Sequence, residues 1–299
     1  MNSMAIRSFI VYSNLFIAFC AIALTAEAFV LFDIPFRFYW MLAVIGCSTF
    51  LVYTLHYLIK SNTAKVDDRL DWVRHHTPLI YATSASAIIC LIVLIYQHHT
   101  VFFLYKGRLH FLKILAFIVI PFLSISYSHK ILPGNYKTIR EWGGFKSFYL
   151  AAFWTVCTGI LPLAFIMPSL AFLSSPALLS YTLLQLVCLW WLCVIFNIKD
   201  YVEDKQDGLK TFGSSLVIGG LLRYGKWMAL ITIIVPFLFF CITYKATSSL
   251  FIIVGVVLLF FYWFALHRYQ PKQRLVDFAI QYDGLIIVKA ALLIFAKQF

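Results

Sequence analysis

Apolar runs of about 20 residues, each closed by charged or polar positions, recur along the whole chain. Nine are counted, at 9–32, 39–59, 78–96, 109–127, 148–167, 177–198, 227–244, 250–266 and 278–296. An α-helix needs about 20 residues to cross a hydrocarbon core roughly 30 Å thick, so each run predicts a membrane span. The expected fold class is therefore all-α: a polytopic membrane helix bundle of about nine transmembrane helices, forming a single integral membrane domain over residues 1–299. The ninth run is the least regular. Its clean apolar stretch starts at Gly284 and is broken by Lys289, which predicts a helix that is tilted, lined by protein or partly inserted. In the first run, Ala26-Glu27-Ala28 has the A-x-A form of a secretory cleavage site. That run exceeds the usual ~7–15 residue signal core, so it reads as a span. Glu27 is then expected either at the bundle interior or near the interface at the helix end.

Composition agrees. Hydrophobic residues make up 63% of the 299 and charged residues only 12%, far from the roughly 25% charged of a soluble domain. Seventeen of the 24 Lys and Arg fall on alternate connections: Arg7, 60–74, 130–146, 199–226 and 268–274. By the positive-inside rule the N-terminus and the connections after spans 2, 4, 6 and 8 are cytoplasmic. The expected location is a plasma (bacterial inner) membrane. The net charge of +12 is spread over many short connections, which suits anionic lipid and topology and gives no nucleic-acid patch. All seven cysteines fall inside apolar runs, where they read as small packing side chains and not as bridges or metal knuckles.

Candidate chemistry lies among the acids. Seven of the twelve carboxylates sit in two short segments on the expected cytoplasmic face: Asp67, Asp68 and Asp71, and Asp200, Glu203, Asp204 and Asp207. If span 6 continues as helix past the membrane surface, Asp200, Asp204 and Asp207 at i, i+4 and i+7 share one face. Stacked like charges are unfavourable unless a cation neutralises them. Mg²⁺ fits, because it takes one or two carboxylates and completes its octahedron with water and phosphate oxygens. A solvated helix end paired with Lys199, Lys205 and Lys210 is the bland alternative.

The stretch Asn197-Ile-Lys-Asp200-Tyr-Val-Glu203-Asp204-Lys-Gln-Asp207-Gly208-Leu-Lys210-Thr211, at the end of a sixth span, resembles the second aspartate-rich motif of UbiA-type membrane prenyltransferases. Tyr127-Ser-His-Lys130, followed by Lys146 and Trp154, is similar to that family's fourth-to-fifth helix connection. The resemblance covers about 120–220 and is elsewhere mainly one of helix count. It implies a Mg²⁺-dependent enzyme in which metal on Asp200 and Asp204, with Lys130 and Lys210, draws electrons from a prenyl diphosphate while a lipophilic acceptor captures the carbocation. Asn197 and Asp207 are implied substrate contacts.

The first motif of that family is absent. Where it should fall the chain reads Tyr53-Thr-Leu-His56-Tyr-Leu-Ile-Lys60-Ser-Asn62, without a carboxylate. His56 and Asn62 take its place in sequence. The nearest acids, Asp67, Asp68 and Asp71, have the D-D-x-x-D spacing that soluble prenyl synthases use to hold Mg²⁺, and they are the candidate substitute. CDP-alcohol phosphotransfer fits less well, since Asp207-Gly208 is not followed by Ala-Arg. The reading from a different class is a non-catalytic binding protein or transporter, which charged or broken helices near the bilayer midplane would mark.

Overall fold

The computed structural model describes residues 3–61, 68–103, 119–124, 126–127, 145–167, 170–199, 218–245, 248–269 and 273–299, which are helical with short connections and contain no strand. The main helices are α1 (Ser3–Tyr12), α2 (Leu15–Leu31), α3 (Trp40–Ser61), α4 (Asp68–His75), α5 (Thr77–Gln97), α6 (Phe145–Ile166), α7 (Pro176–Lys199), α8 (Ile218–Thr243), α9 (Ser249–His267), α10 (Leu275–Tyr282) and α11 (Gly284–Gln298). Among the described residues, seven helical stretches are long and apolar enough to cross a membrane, and an eighth is if the bent pair α1 and α2 crosses as one. The chain is an integral membrane protein by this measure. The expected span at 109–127 lies largely outside the described residues.

The first expected span is not one straight helix. α1 meets α2 at a bend of 69°, because Asn14 takes a left-handed conformation (φ 67°) between them. Asn is among the few residues that tolerate this region. Its buried side chain is held from both sides: Nδ2 donates to Thr54 Oγ1 at 3.2 Å, and Oδ1 accepts from Arg69. The ninth span, in contrast, is one element of 24 residues, Leu275–Gln298, made of α10 and α11.

α2 and α11 run parallel, and their register is readable from three contacts. Cys20 Sγ meets the Asp283 carbonyl (3.4 Å), Glu27 pairs with Lys289, and Asp33 pairs with Lys297 (3.0 Å). Steps of 7 and 6 residues on one helix match steps of 6 and 8 on the other, about 10 Å each at 1.5 Å per residue. Around this pair the helices form a ring. α2 packs on α11, α11 on α9, α9 on α8, α8 on α7, α7 on α6, and α6 returns to α2. α3 lies outside α2 and carries α5, whose only buried residue is Ile80.

Two helix–helix contacts, α3 on α2 and α9 on α8, depend on glycine. A Cβ at Gly46 would stand 2.6 Å from Ile22 Cδ1, and one at Gly255 only 2.2 Å from Phe237 Cε1. Small residues let helices approach closely where lipid supplies no hydrophobic drive between them. α6 closes the ring with a break: Val156–Ile160 forms a π-helical turn ahead of Pro162. Proline has no N–H to give to the preceding turn. Within the same stretch Thr155 and Thr158 donate their hydroxyls to the carbonyls of Ala151 and Trp154, both at 2.8 Å.

Candidate functional sites

The sequence points to the end of the bundle where α7 stops. Ser175 and Pro176 start α7, with Ser175 Oγ accepting from Leu178 N (3.3 Å), as a capping hydroxyl followed by proline should. Twenty-four residues later Lys199 donates to the Gln273 carbonyl (3.2 Å) and lies over the Phe278 ring. Asn197 is buried and donates to Ser147 at the start of α6, beside the equally buried Lys146. Trp154, two turns along α6, donates to the Tyr53 hydroxyl on α3 (3.2 Å).

Tyr53, Cys193 and Asp283 stand within electrostatic range of one another, with Lys146 acting on Cys193 and Arg69 on Asp283. These three side chains are partly buried. Four helical stretches (α3, α6, α7 and the α10–α11 junction) thus bring polar groups together directly beneath the point where the acidic segment leaves α7. Asp283 and Tyr53 were not singled out in the sequence. The signal was there, since Asp283 is a carboxylate inside an apolar run and Tyr53 occupies the position of the missing motif.

The remaining predicted residues divide. Lys130, Asn62, Asp67, Asp200, Asp204, Asp207 and Lys210 lie outside the described residues. His56 is half-buried and packs edge-on against the Tyr57 ring at 5.2 Å. Asp68 and Asp71 are exposed on α4, and Asp71 lies 3.9 Å from His75. The opposite face of α4 buries Arg69, Leu70 and Val73. Arg69 reaches the Tyr57 hydroxyl (2.9 Å), the Val11 carbonyl (3.3 Å) and Asn14, so it clamps α4 to the α1–α2 bend and to α3. Among the described residues, no three His, Cys, Asp or Glu side chains come together as a metal site.

A second polar centre lies inside the ring. Lys289 Nζ donates to both oxygens of Glu27, at 2.5 and 2.7 Å, with 2% and 0% of the two side chains exposed. Of the two positions open to Glu27, the interior is the one it takes. Lys289 interrupts the ninth run because it faces protein and not lipid. Lys289 lies 6.0 Å from the centre of the Tyr181 ring, and the Tyr181 hydroxyl stands beside the Glu27 carboxylate. One turn along α7 is Gln185, fully buried, with neither amide atom hydrogen-bonded among the described residues. An unmet buried polar group costs about 1–3 kcal/mol. Cys188 follows on the same face, within electrostatic range of both charges, and its carbonyl accepts from Tyr262 at 3.3 Å. The π turn of α6 borders this layer, with Gly159 against Tyr181. Such turns are frequent at functional sites.

Set against family models, curated proteins and solved structures, the chain matches none.

Proposed function

We propose that the chain is a UbiA-like integral membrane prenyltransferase, which moves a polyprenyl group from its diphosphate to an aromatic or other lipophilic acceptor with Mg²⁺. The observation that carries this reading is the gathering of buried Lys146, Ser147 and Asn197 with partly buried Tyr53 and Asp283 near the end of α7 from which the acidic segment departs. A reaction that separates a diphosphate from an allylic cation needs fixed positive charge for the leaving group and shelter from water for the cation. Lys146 supplies the first: it is a cation held at a helix start, and its burial strengthens its action on an anion. Trp154 and Tyr53 supply an aromatic wall, and aromatic faces stabilise positive charge. Mg²⁺ held by Asp200 and Asp204 would neutralise the diphosphate, and a carboxylate pair of that kind suits Mg²⁺, which needs only one or two protein ligands. Asp283 accepts hydrogen bonds only, when ionised, and is placed to orient a donor on the acceptor. In this reading the membrane is a bacterial plasma membrane and the α7 end faces the cytoplasm.

The test is binding of geranylgeranyl diphosphate to the purified protein with and without Mg²⁺. Tight binding that requires Mg²⁺ and is lost in Asp200→Ala/Asp204→Ala is the expected result. Binding that ignores both the metal and the double substitution refutes the reading. The buried Glu27–Lys289 pair and the broken helix beside it favour a second reading, a membrane binding protein or transporter, which predicts no diphosphate binding.

A further inference from the structure

All seven cysteines lie in apolar runs, and two of them come together. Cys47 on α3 and Cys90 on α5 are 43 positions apart in sequence, yet their thiols are close enough for a side-chain hydrogen bond. The packing of the two helices accounts for this independently. α3 and α5 lie against each other, and Trp40 at the start of α3 stacks on His98 at the end of α5, with ring centres 4.1 Å apart. From that stack Cys47 is seven residues along α3 and Cys90 eight residues back along α5, about 10 and 12 Å at 1.5 Å per residue. The two thiols are therefore level, at the depth of acyl chains. Both cysteines are half-buried, and Ile89 and Val93, beside Cys90 on its outer side, are exposed and apolar. The pair thus sits at the rim of the α3–α5 seam, open toward lipid. Among the described residues no other cysteine has a second one beside it: Cys20 meets Asp283, and Cys188 and Cys193 stand five positions apart on α7, which turns them to different faces.

We propose that Cys47 and Cys90 are a modification site, a thiol pair that lipid hydroperoxides close into a disulfide clasping α5 to α3. One sulfur attacks a peroxide oxygen, the O–O bond breaks, and the alkoxide leaves as an alcohol with that thiol's proton. The second thiol then attacks the sulfenic sulfur, the S–S bond forms, and the S–O bond breaks to release water with the second proton. Two thiols lose two electrons and two protons, and one hydroperoxide becomes one alcohol and one water. The depth of the pair selects the oxidant, because a hydroperoxide carried on an acyl chain is dissolved there while hydrogen peroxide partitions into water. The consequence falls on α5. Ile80 is its only buried residue, so the helix is held mainly along the seam with α3, and few buried contacts mean low local stability. A disulfide of about 2.05 Å fastens it there. The pair lies apart from the end of α7, and the proposal stands whether or not the chain transfers prenyl groups.

The experiment uses the full chain, reduced and reconstituted in vesicles of saturated phosphatidylcholine, then treated with cumene hydroperoxide or with hydrogen peroxide at equal concentration. Remaining thiols are alkylated and the peptides are read by mass spectrometry. The expected result is a peptide linking Cys47 to Cys90, a fall from seven free thiols to five, reversal by dithiothreitol, and a rate several-fold higher with the lipophilic peroxide. Hydrogen exchange at the amides of α5 is expected to slow in the oxidised protein and to recover on reduction. Cys47→Ser and Cys90→Ser, each nearly constant in size, are expected to lose both the link and the slowed exchange. The proposal is overturned by absence of the linked peptide in the wild type, by other cysteine pairs linking as fast, or by equal rates with the two peroxides. Unchanged exchange at α5 in the linked protein, or slowing by peroxide in either serine variant, would overturn it as well.

Discussion

Substituting Lys289 by Met leaves the Glu27 carboxylate enclosed with no cation. The pair is short and fully shielded, 2.5 and 2.7 Å at 2% and 0% exposure, so water cannot solvate the remaining charge and the neighbouring Tyr181 hydroxyl is the nearest other donor. Removing one partner of a buried pair typically costs about 3–5 kcal/mol, and Glu27 can recover part of that only by taking up a proton. For a chain of this size each kcal/mol lowers the melting midpoint by about 2–4 °C, so Lys289→Met is expected to lower it by roughly 6–20 °C in detergent. Glu27→Leu, which leaves the ammonium alone, should do the same. The double variant Glu27→Leu/Lys289→Met leaves no uncompensated charge. It is expected within about 1 kcal/mol of the wild type, giving a coupling energy well above that of an exposed pair. Additive losses in the double variant, or single losses below about 1 kcal/mol, would show that the pair does not hold α2 to α11.

Gly255→Ala sets a methyl 2.2 Å from Phe237 Cε1 and is expected to cost about 1–3 kcal/mol by overpacking, with partial recovery by Phe237→Leu; thermal unfolding without such recovery would refute the contact. Arg69→Lys cannot reproduce the guanidinium fork that reaches Tyr57, Val11 and Asn14, so hydrogen exchange at the amides of α4 should rise, and wild-type protection would count against the clamp. Asn14→Ala should destabilise by about 1 kcal/mol more than Asn14→Gly, because both lose the bonds to Thr54 and Arg69 but only alanine is strained at φ 67°; equal melting midpoints would remove the left-handed argument. If prenyl transfer is established, Asp283→Asn should lower turnover while leaving Mg²⁺-dependent diphosphate binding intact, and equal loss of both would make Asp283 part of the diphosphate site.

The candidate chemistry was only partly legible along the chain. Asn197, Lys146 and Trp154 belong to the stretch whose pattern was recognised, and the fold sets them near Tyr53 and Asp283. No motif leads to Asp283, because its position matters only relative to α3, α4 and α7. Asp68 and Asp71 share a spacing that suits a metal, yet spacing does not say which way a short helix rolls. Leu70 and Val73 roll α4 toward the bundle with Arg69, and this turns both acids to solvent.

Hydropathy alone determined that the described chain is helical and crosses a membrane, because the requirement that a helix bury its own backbone groups in lipid is met residue by residue within each run. It also marked Glu27 and Lys289 as out of place. Only the tertiary structure decided what they are for one another. Glu27 and Lys289 lie 262 positions apart, and which residue of α11 stands level with Glu27 depends on the register of two parallel helices. That register is set by packing across the whole ring, including the Cys20 contact below the pair and the Asp33–Lys297 contact above it. Likewise, the break in the first run at Asn14 depends on Arg69 and Thr54, two partners that no local reading of the first run contains.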